Sequence, residues 1–557
     1  MTSAGEPAFR SRPYVCGVLG PADPAASSRL LRDSPGGLRE LVHTDRLRLW
    51  ASGELEQWHR GDEKGYFWAA NASGPAPSSW RDAAQDRLAA GVILSPESAT
   101  LHTCALGMQE IYVRRLGAAV YFSVRIEPLL QLDDALLHPD EQAWASIICL
   151  GYPLGEATPF AEVRRMRAAT AWEATTGGLE RRSFEPCYLE AQAPERFSPS
   201  DMAALLTDRM PAAPWLGSVH STLSGGWDSR LLAGLLARSG QRTRAWTTSP
   251  DDGRDHDLEL AGPVARALRM RHRTVVPGEQ AWLQDVRQAG RRVQYQASMH
   301  TWLMPLAHRL HRVRGPLVDG LAGDVLLKSL FVTPEILDSR TPAVLRSRLW
   351  DSLSRGRVSL PGMFAPEAAA RLEQLSRESF DEVTGHLDGH PAAATLSVLL
   401  SRTMRGVAIS PMLLFAPECD VHLPFADPRV LMAALRVPAH RKMGGAYYRE
   451  LLDVAVGPEV GQLPSTNDPR PRQPFGYRRQ ASPQAVSWMA DTIGNDDAVR
   501  RMIGPKMRAA LANPADERLR SQSGLLAMLQ AVTMLAMWRS AYAARVTPDV
   551  PLLSATP

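Results

Sequence analysis

Cysteine is scarce and scattered: Cys16, Cys104, Cys149, Cys187 and Cys419 are the five in 557 residues. No two form a CxxC pair, which excludes a zinc ribbon, and an odd, dispersed set excludes a disulfide scaffold. They are expected to be small buried hydrophobes. Long apolar runs are also missing. The opening MTSAGEPAFRSRPY has no signal-peptide core, and no stretch approaches membrane-spanning length, so the expected location is the cytoplasm. Charge of one sign is not in excess. Lys and Arg number 63 against 59 Asp and Glu, a net +4, and no long basic block interleaves with aromatics, which argues against a nucleic-acid partner. No internal repeat is evident.

What remains is ordinary globular composition, 45% hydrophobic and 22% charged, on a chain longer than one core usually serves. Two or more domains are therefore expected. The stretch TLSGGWDSRLLAGLLA (222–237) carries the clearest chemistry. A short apolar run ending at Leu223 meets Ser-Gly-Gly-Trp-Asp-Ser and then an apolar helical pattern. Gly225 and Gly226 allow close approach that a β-carbon would block. The next helix aims its free N–H groups and positive dipole end at the same corner, which suits phosphate. A bare carboxylate would repel phosphate, so Asp228 makes sense as a ligand of Mg²⁺. The bland alternative is a glycine turn with a helix-capping Ser. The corner lacks the Lys of a Walker loop, which disfavours an ordinary P-loop kinase or ATPase.

To about residue 190 the pattern is β-rich, with short runs at 14–20, 90–95, 110–115 and 118–125. A polar, proline-containing mobile connection is expected at 190–201. Beyond it, strands ending at Leu223, Thr248 and Val276 alternate with helices over 229–239, closed by Gly240, and 257–269. That order predicts a parallel sheet covered by helices, with a ligand crevice at the carboxyl ends of the strands. Residues 280–312 and 340–455 read as mostly helical. A second strand, glycine loop and helix start, PLVDGLAGDVLL (316–327), carries Asp324; standing alone it reads as a glycine turn with a capping Asp.

Ser-Gly-Gly-x-Asp-Ser resembles the pyrophosphate loop of ATP pyrophosphatases, which split ATP between the α and β phosphates and form an acyl-adenylate. The 316–327 segment resembles the Ser-Gly-x-Gly-x-Asp-Glu stretch of asparagine synthetases, in which the aspartate is the other Mg²⁺ ligand. CDVHLPFADPRVL (419–431) is similar to that family's Glu-x-Arg-x-Pro-Phe-x-Asp, with Asp420 and His422 in place of Glu and Arg. LPSTNDPRPRQPFG (463–476) resembles its Leu-Pro…Arg-x-Lys stretch, with Arg472 where the family has lysine. The resemblance implies an α/β protein. Residues 1–195 would be a glutaminase-like (Ntn-type) domain, and 196–557 an ATP-pyrophosphatase (adenine nucleotide α-hydrolase-like) domain. It implies ATP contacts at Leu223, Ser224, Gly225, Gly226, Asp228, Ser229, Thr247, Thr248, Asp319 and Gly320. Mg²⁺ would lie on Asp228 and Asp324, and Arg472 near the transition-state charge.

Asparagine synthetases use an N-terminal Cys whose free amine is the base, whereas Cys16 follows fifteen residues. The glutamine-binding Asn-Gly-Glu segment is not recognisable either. The first domain is expected to be a scaffold without glutaminase activity. With no ammonia made, the nucleophile is expected to be an amine on the substrate, as in lasso-peptide cyclases or β-lactam synthetases. Leu321 stands where relatives carry an acid–base Glu or Tyr. A peptide α-amine, with a pKa of about 7.7–8.0, needs little help from a base, although His256, Glu259 or His422 could act as one. The resemblance is therefore strongest to a lasso-peptide cyclase that adenylates an Asp or Glu side chain of a core peptide and joins it to the N-terminal amine. Its implied partners are the precursor peptide, a leader-binding protein and a leader protease. Alternatives are a β-lactam synthetase, an ammonia-dependent amidotransferase like asparagine synthetase, and a non-catalytic scaffold.

Overall fold

The computed structural model describes residues 13–548 apart from 33, 35, 70–78, 191–196, 214–216, 250–255, 277–280, 299, 356, 357, 359, 469–480, 517 and 522. Strands between Tyr14 and Ser183 form two six-stranded sheets, every strand pair in them antiparallel. Tyr14–Leu19 lies between Leu47–Ser52 and Ala119–Ser123, and all six of its residues are buried. It is covered on both faces because it also packs on Ser98–His102 and Thr170–Thr175 of the second sheet. That is why YVCGVL reads as a continuous apolar run rather than an alternating one.

The later sheet has five parallel strands in the order Arg271–Val275, Thr243–Thr248, Val219–Thr222, Leu317–Val318, Val421–His422. The strand and helix expectations hold within a residue or two here, with helices at Trp227–Arg238 and His256–Ala267. Gly240 takes φ +71 just past the first helix, the left-handed conformation that ends helices without a Cβ penalty. The region 340–455 is helical as expected, interrupted by the short strand Val421–His422. Against the expectation that no stretch approaches membrane-spanning length, the run Ala393–Phe415 is apolar and long enough to cross a membrane, because helical pieces join end to end there; 83% of its most apolar stretch is buried inside the protein.

Two further expectations need correction. Of the connection expected at 190–201, residues 191–196 lie outside the described residues, and the far end is not linker. Ser198 and Asp201 form a reciprocal capping box that starts a helix at Pro199–Asp208, so its Ser-Pro-Ser-Asp end is helix punctuation rather than linker. Four cysteines are buried, but Cys187 is only partly so, because it sits in a single 3₁₀ turn, Cys187–Leu189, at the end of the β-rich region.

Buried contacts join the two regions. Trp538 of the helix Ser523–Ala541 packs its ring 5.1 Å from those of Trp144 and Phe160. Gln296 Nε2 donates to the Tyr112 hydroxyl at 2.6 Å.

Candidate functional site

The central strand Val219–Thr222 delivers the chain to the carboxyl edge of the parallel sheet, where the first glycine corner turns into the helix Trp227–Arg238. Leu231, Leu232, Leu235 and Leu236 bury one side of that helix, which fixes where its amino end points. Gly226 is its N-cap and no side chain caps it, so the first-turn N–H groups remain for another acceptor. The corner is braced from within. Ser229 Oγ accepts from the Ser224 N–H and meets Ser224 Oγ, both at 2.9 Å. Gly226 N donates to Ser224 Oγ at 3.1 Å, and Gly225 N to Asp257 Oδ1 at 2.7 Å.

Leu317–Val318 runs parallel to the same strand and ends beside it, so the second glycine loop rises at the neighbouring strand end. Asp319 ties the two ends together, accepting from Thr222 Oγ1 at 2.9 Å and from Leu321 N at 3.0 Å. Burial pushes its carboxyl up, and the Thr222 hydrogen bond opposes that. The glycines of the second loop press on Asp228 of the first. A Cβ on Gly320 would lie 3.2 Å from Asp228 Cβ, and one on Gly323 would lie 2.9 Å from both Asp228 Cγ and Oδ1. The helix Gly323–Lys328 follows immediately with Asp324 in its first turn.

Asp228 and Asp324, 96 positions apart, thus share one site. The Asp228 carboxyl is pushed up to about 6, by burial first and by Asp324 as well, while Lys328 pulls it down. Its Oδ1 is buried with no hydrogen-bond partner, and Lys328 Nζ stands 3.6 Å away. The buried Tyr448 hydroxyl faces the same carboxyl. Two carboxylates, one with an orphaned buried oxygen, fit a hard divalent cation that takes the rest of its oxygens from phosphate and water. Among the described residues no cluster of three or more His, Cys, Asp or Glu could hold a metal unaided.

Of the other expected contacts, Leu223 is buried and its carbonyl accepts from Thr247 Oγ1 at 2.6 Å. The Thr248 hydroxyl turns to the neighbouring strand and donates to Val275 O. Arg472 lies outside the described residues. His422 is buried and bonded to Asp420 Oδ2 at 3.0 Å, while His256 pairs with Glu259 at 3.5 Å. Leu321 is buried. Lys328, Tyr448, Asp257 and Arg230 join the site with no sequence motif to mark them. That fully buried guanidinium donates to the carbonyls of Val460, Gly461, Leu463 and Pro464. The segment it grips reaches the glycine corner, where Thr466 N donates to Gly225 O at 3.0 Å. In a different sheet, Cys16 is fully buried within its strand, and burial pushes its thiol up to about 12.

Residues 217–540 match the family model described as asparagine synthase. No curated protein matches the chain. Among solved structures it is similar to an allosteric regulatory enzyme of purine biosynthesis, at 8% identity over 47% of this chain and 80% of that one, TM-score 0.21. A glutamine phosphoribosylpyrophosphate amidotransferase from B. subtilis, complexed with ADP and GMP, matches at 8% over 56% and 77%, TM-score 0.20. An NMN synthetase from Francisella tularensis matches at 17% over 34% and 94%, TM-score 0.18. With TM-scores of this size, none of the three bears on the chemistry.

Proposed function

The chain belongs to the asparagine synthase family, and on that premise we propose that it is an ATP-dependent, AMP-forming amide ligase acting as a lasso-peptide macrolactam synthetase. The observation that carries the ligase reading is the contact of Gly320 and Gly323 with Asp228, which brings Asp228 and Asp324 to one site beside an uncapped helix amino end. The first-turn N–H groups and the Ser224 and Ser229 hydroxyls bind phosphate oxygens, as helix amino ends do. Asp228 and Asp324 hold Mg²⁺, which supplies charge neutralisation at the phosphates. Fixed dipoles aimed where charge develops are the main source of such rate enhancement, and Arg472 is assigned to the same task.

The activated group is an Asp or Glu side chain of a precursor peptide and the nucleophile is that peptide's own N-terminal amine. The peptide loses the elements of one water as one ATP becomes AMP and pyrophosphate: the carboxylate attacks the α-phosphate and expels pyrophosphate, the amine then displaces AMP, which keeps the carboxylate oxygen, and the amine's proton is released. Two observations support this narrower reading. Leu321, buried, can neither donate nor accept a proton from its side chain, which suits an amine nucleophile that is already unprotonated in substantial fraction near neutral pH. The Cys16 thiol, pushed up to about 12 by burial, is a poor source of the thiolate that a glutaminase needs. Residues 1–195 then act as a scaffold and 196–557 as the catalytic domain, working with a leader-binding protein and a leader protease.

The test is incubation of the full chain with ATP, Mg²⁺ and a precursor peptide freed of its leader, followed by mass spectrometry and AMP measurement. The expected product has lost one water, and Asp228→Ala abolishes both signals while the circular dichroism spectrum is unchanged. An Asp228→Ala variant that still matures its peptide refutes the site. Turnover with aspartate and ammonium, or with a small β-amino acid, instead of peptide refutes the substrate.

A further inference from the structure

Lys328 occupies the last position of the short helix that begins the second glycine loop's exit, one turn beyond Asp324 and on the same side. Its side chain is only 16% exposed. The ammonium has four neighbours: Asp228 Oδ1 at 3.6 Å, Asn467 Oδ1 accepting at 3.1 Å, and the rings of Trp227 and Tyr448 with centroids at 5.7 and 5.6 Å. This is an unusual setting for a lysine. At 3.6 Å the pair with Asp228 is an ion pair too long for a good hydrogen bond, and Oδ1 has no other donor within hydrogen-bond distance. The amide oxygen and the two aromatic faces meanwhile give the ammonium a perch of its own, since ring faces attract cations.

We infer that Lys328 is a resident counter-ion of the Asp228–Asp324 site, which weakens binding of a divalent cation to the free protein and makes that binding depend on the nucleotide. The inference rests on the reading of the two aspartates as metal ligands. Two carboxylates and one ammonium leave the site with one net negative charge instead of two. An incoming divalent cation is repelled by an ammonium a few ångströms away in a half-buried, poorly screened setting. The polyanionic nucleotide reverses the balance. Its phosphates add negative charge to the site, and they offer Lys328 a new partner, as phosphates commonly do with lysine. The perch on Asn467, Trp227 and Tyr448 lets the ammonium leave Asp228 without being stranded. Metal and nucleotide then enter together, and the free protein is kept from being loaded with metal alone.

The experiment uses the full-length, nucleotide-free protein and Mn²⁺ alone, with free Mn²⁺ followed by electron paramagnetic resonance. Lys328→Met, of similar length and without charge, is expected to bind Mn²⁺ at least about tenfold tighter than the wild type, and Lys328→Gln should shift the same way. Lys328→Arg, which keeps the charge, should stay within about threefold of the wild type. Adding α,β-methylene-ATP should shrink the gap between wild type and Lys328→Met. Equal or weaker Mn²⁺ binding by both neutral variants, or no detectable binding by any of the proteins, overturns the inference. Failure of the premise looks different: Asp228→Asn would then bind Mn²⁺ as well as the wild type does.

Discussion

Replacing Gly323 with alanine adds one methyl group at the point where the two glycine loops meet. An ideal Cβ there would stand 2.8 Å from a ring carbon of Phe425 and 2.9 Å from both Cγ and Oδ1 of Asp228, where ordinary contact begins at 3.4 Å. Something must therefore move by roughly 0.5 Å or more in a close-packed setting. Phe425 is fully buried and has little room to yield, so the Asp228 carboxyl takes most of the displacement. Overpacking of this kind costs about 1–3 kcal/mol of stability. The effect on turnover should be larger, because a misplacement approaching 1 Å costs on the order of 100-fold in rate. The assay is AMP release at saturating ATP and peptide, beside a thermal melt of the same preparation. Gly385→Ala serves as the control: Gly385 has no atom within 4 Å of a built Cβ and helical dihedrals, so rate and melting temperature should stay within error. If Gly323→Ala turned over at the wild-type rate with an unchanged melting temperature, the two loops would not meet as described and the shared carboxylate site would have no basis.

Arg230→Met should destabilise the fold by about 3 kcal/mol or more, since it leaves several buried carbonyls of the 460–464 segment without their donor. Denaturant unfolding measures this, and a loss under about 1 kcal/mol would mean that water or backbone replaces the guanidinium. Lys442 is buried, with Nζ donating to Ala434 O at 3.0 Å, and burial holds its ammonium down at about 8 instead of 10.5. The unfolded chain therefore binds the extra proton between those values, and wild-type stability should rise with pH from about 8 to 10.5 by up to about 3 kcal/mol relative to Lys442→Met. Parallel stability curves for the two proteins over that window would show that Lys442 is not held neutral.

The parts of the site that could be read from the sequence are those written within one strand-turn-helix unit. Residues 222–237 contain a strand end, the Gly225–Gly226 pair, an uncapped helix start and its apolar face in a single stretch, so local rules suffice. The second corner was legible for the same reason, though only the folded chain shows that Gly320 and Gly323 press on Asp228. What the sequence concealed depends on long-range contacts. Arg230 reads as one polar position on an apolar helix and would be placed at the surface by composition alone. It is buried because four carbonyls more than 200 positions away accept its donors. Tyr448 reads as a core aromatic on the helix Ala446–Val456, and nothing in its neighbours along the chain indicates that its hydroxyl faces Asp228. The capping box at Ser198 is a Ser-x-x-Asp pattern, and the prolines and charges beside it carry the same composition as a linker.

Taken together, these distant contacts make the 460–468 segment a third wall of the site rather than a connection passing by it. Arg230 fixes its start, Thr466 bonds to the carbonyl of Gly225, and Asn467 takes a hydrogen bond from Lys328. Its own turn is closed by Asp468 accepting from Ser465 N at 2.7 Å and Ser465 Oγ from Asn467 N at 3.2 Å. One segment therefore touches the first glycine corner directly and the second through the lysine beside Asp324. Loosening it through Arg230 should disturb both corners at once, so turnover in Arg230→Met should fall by more than the lost stability alone predicts, even at temperatures where the variant is fully folded.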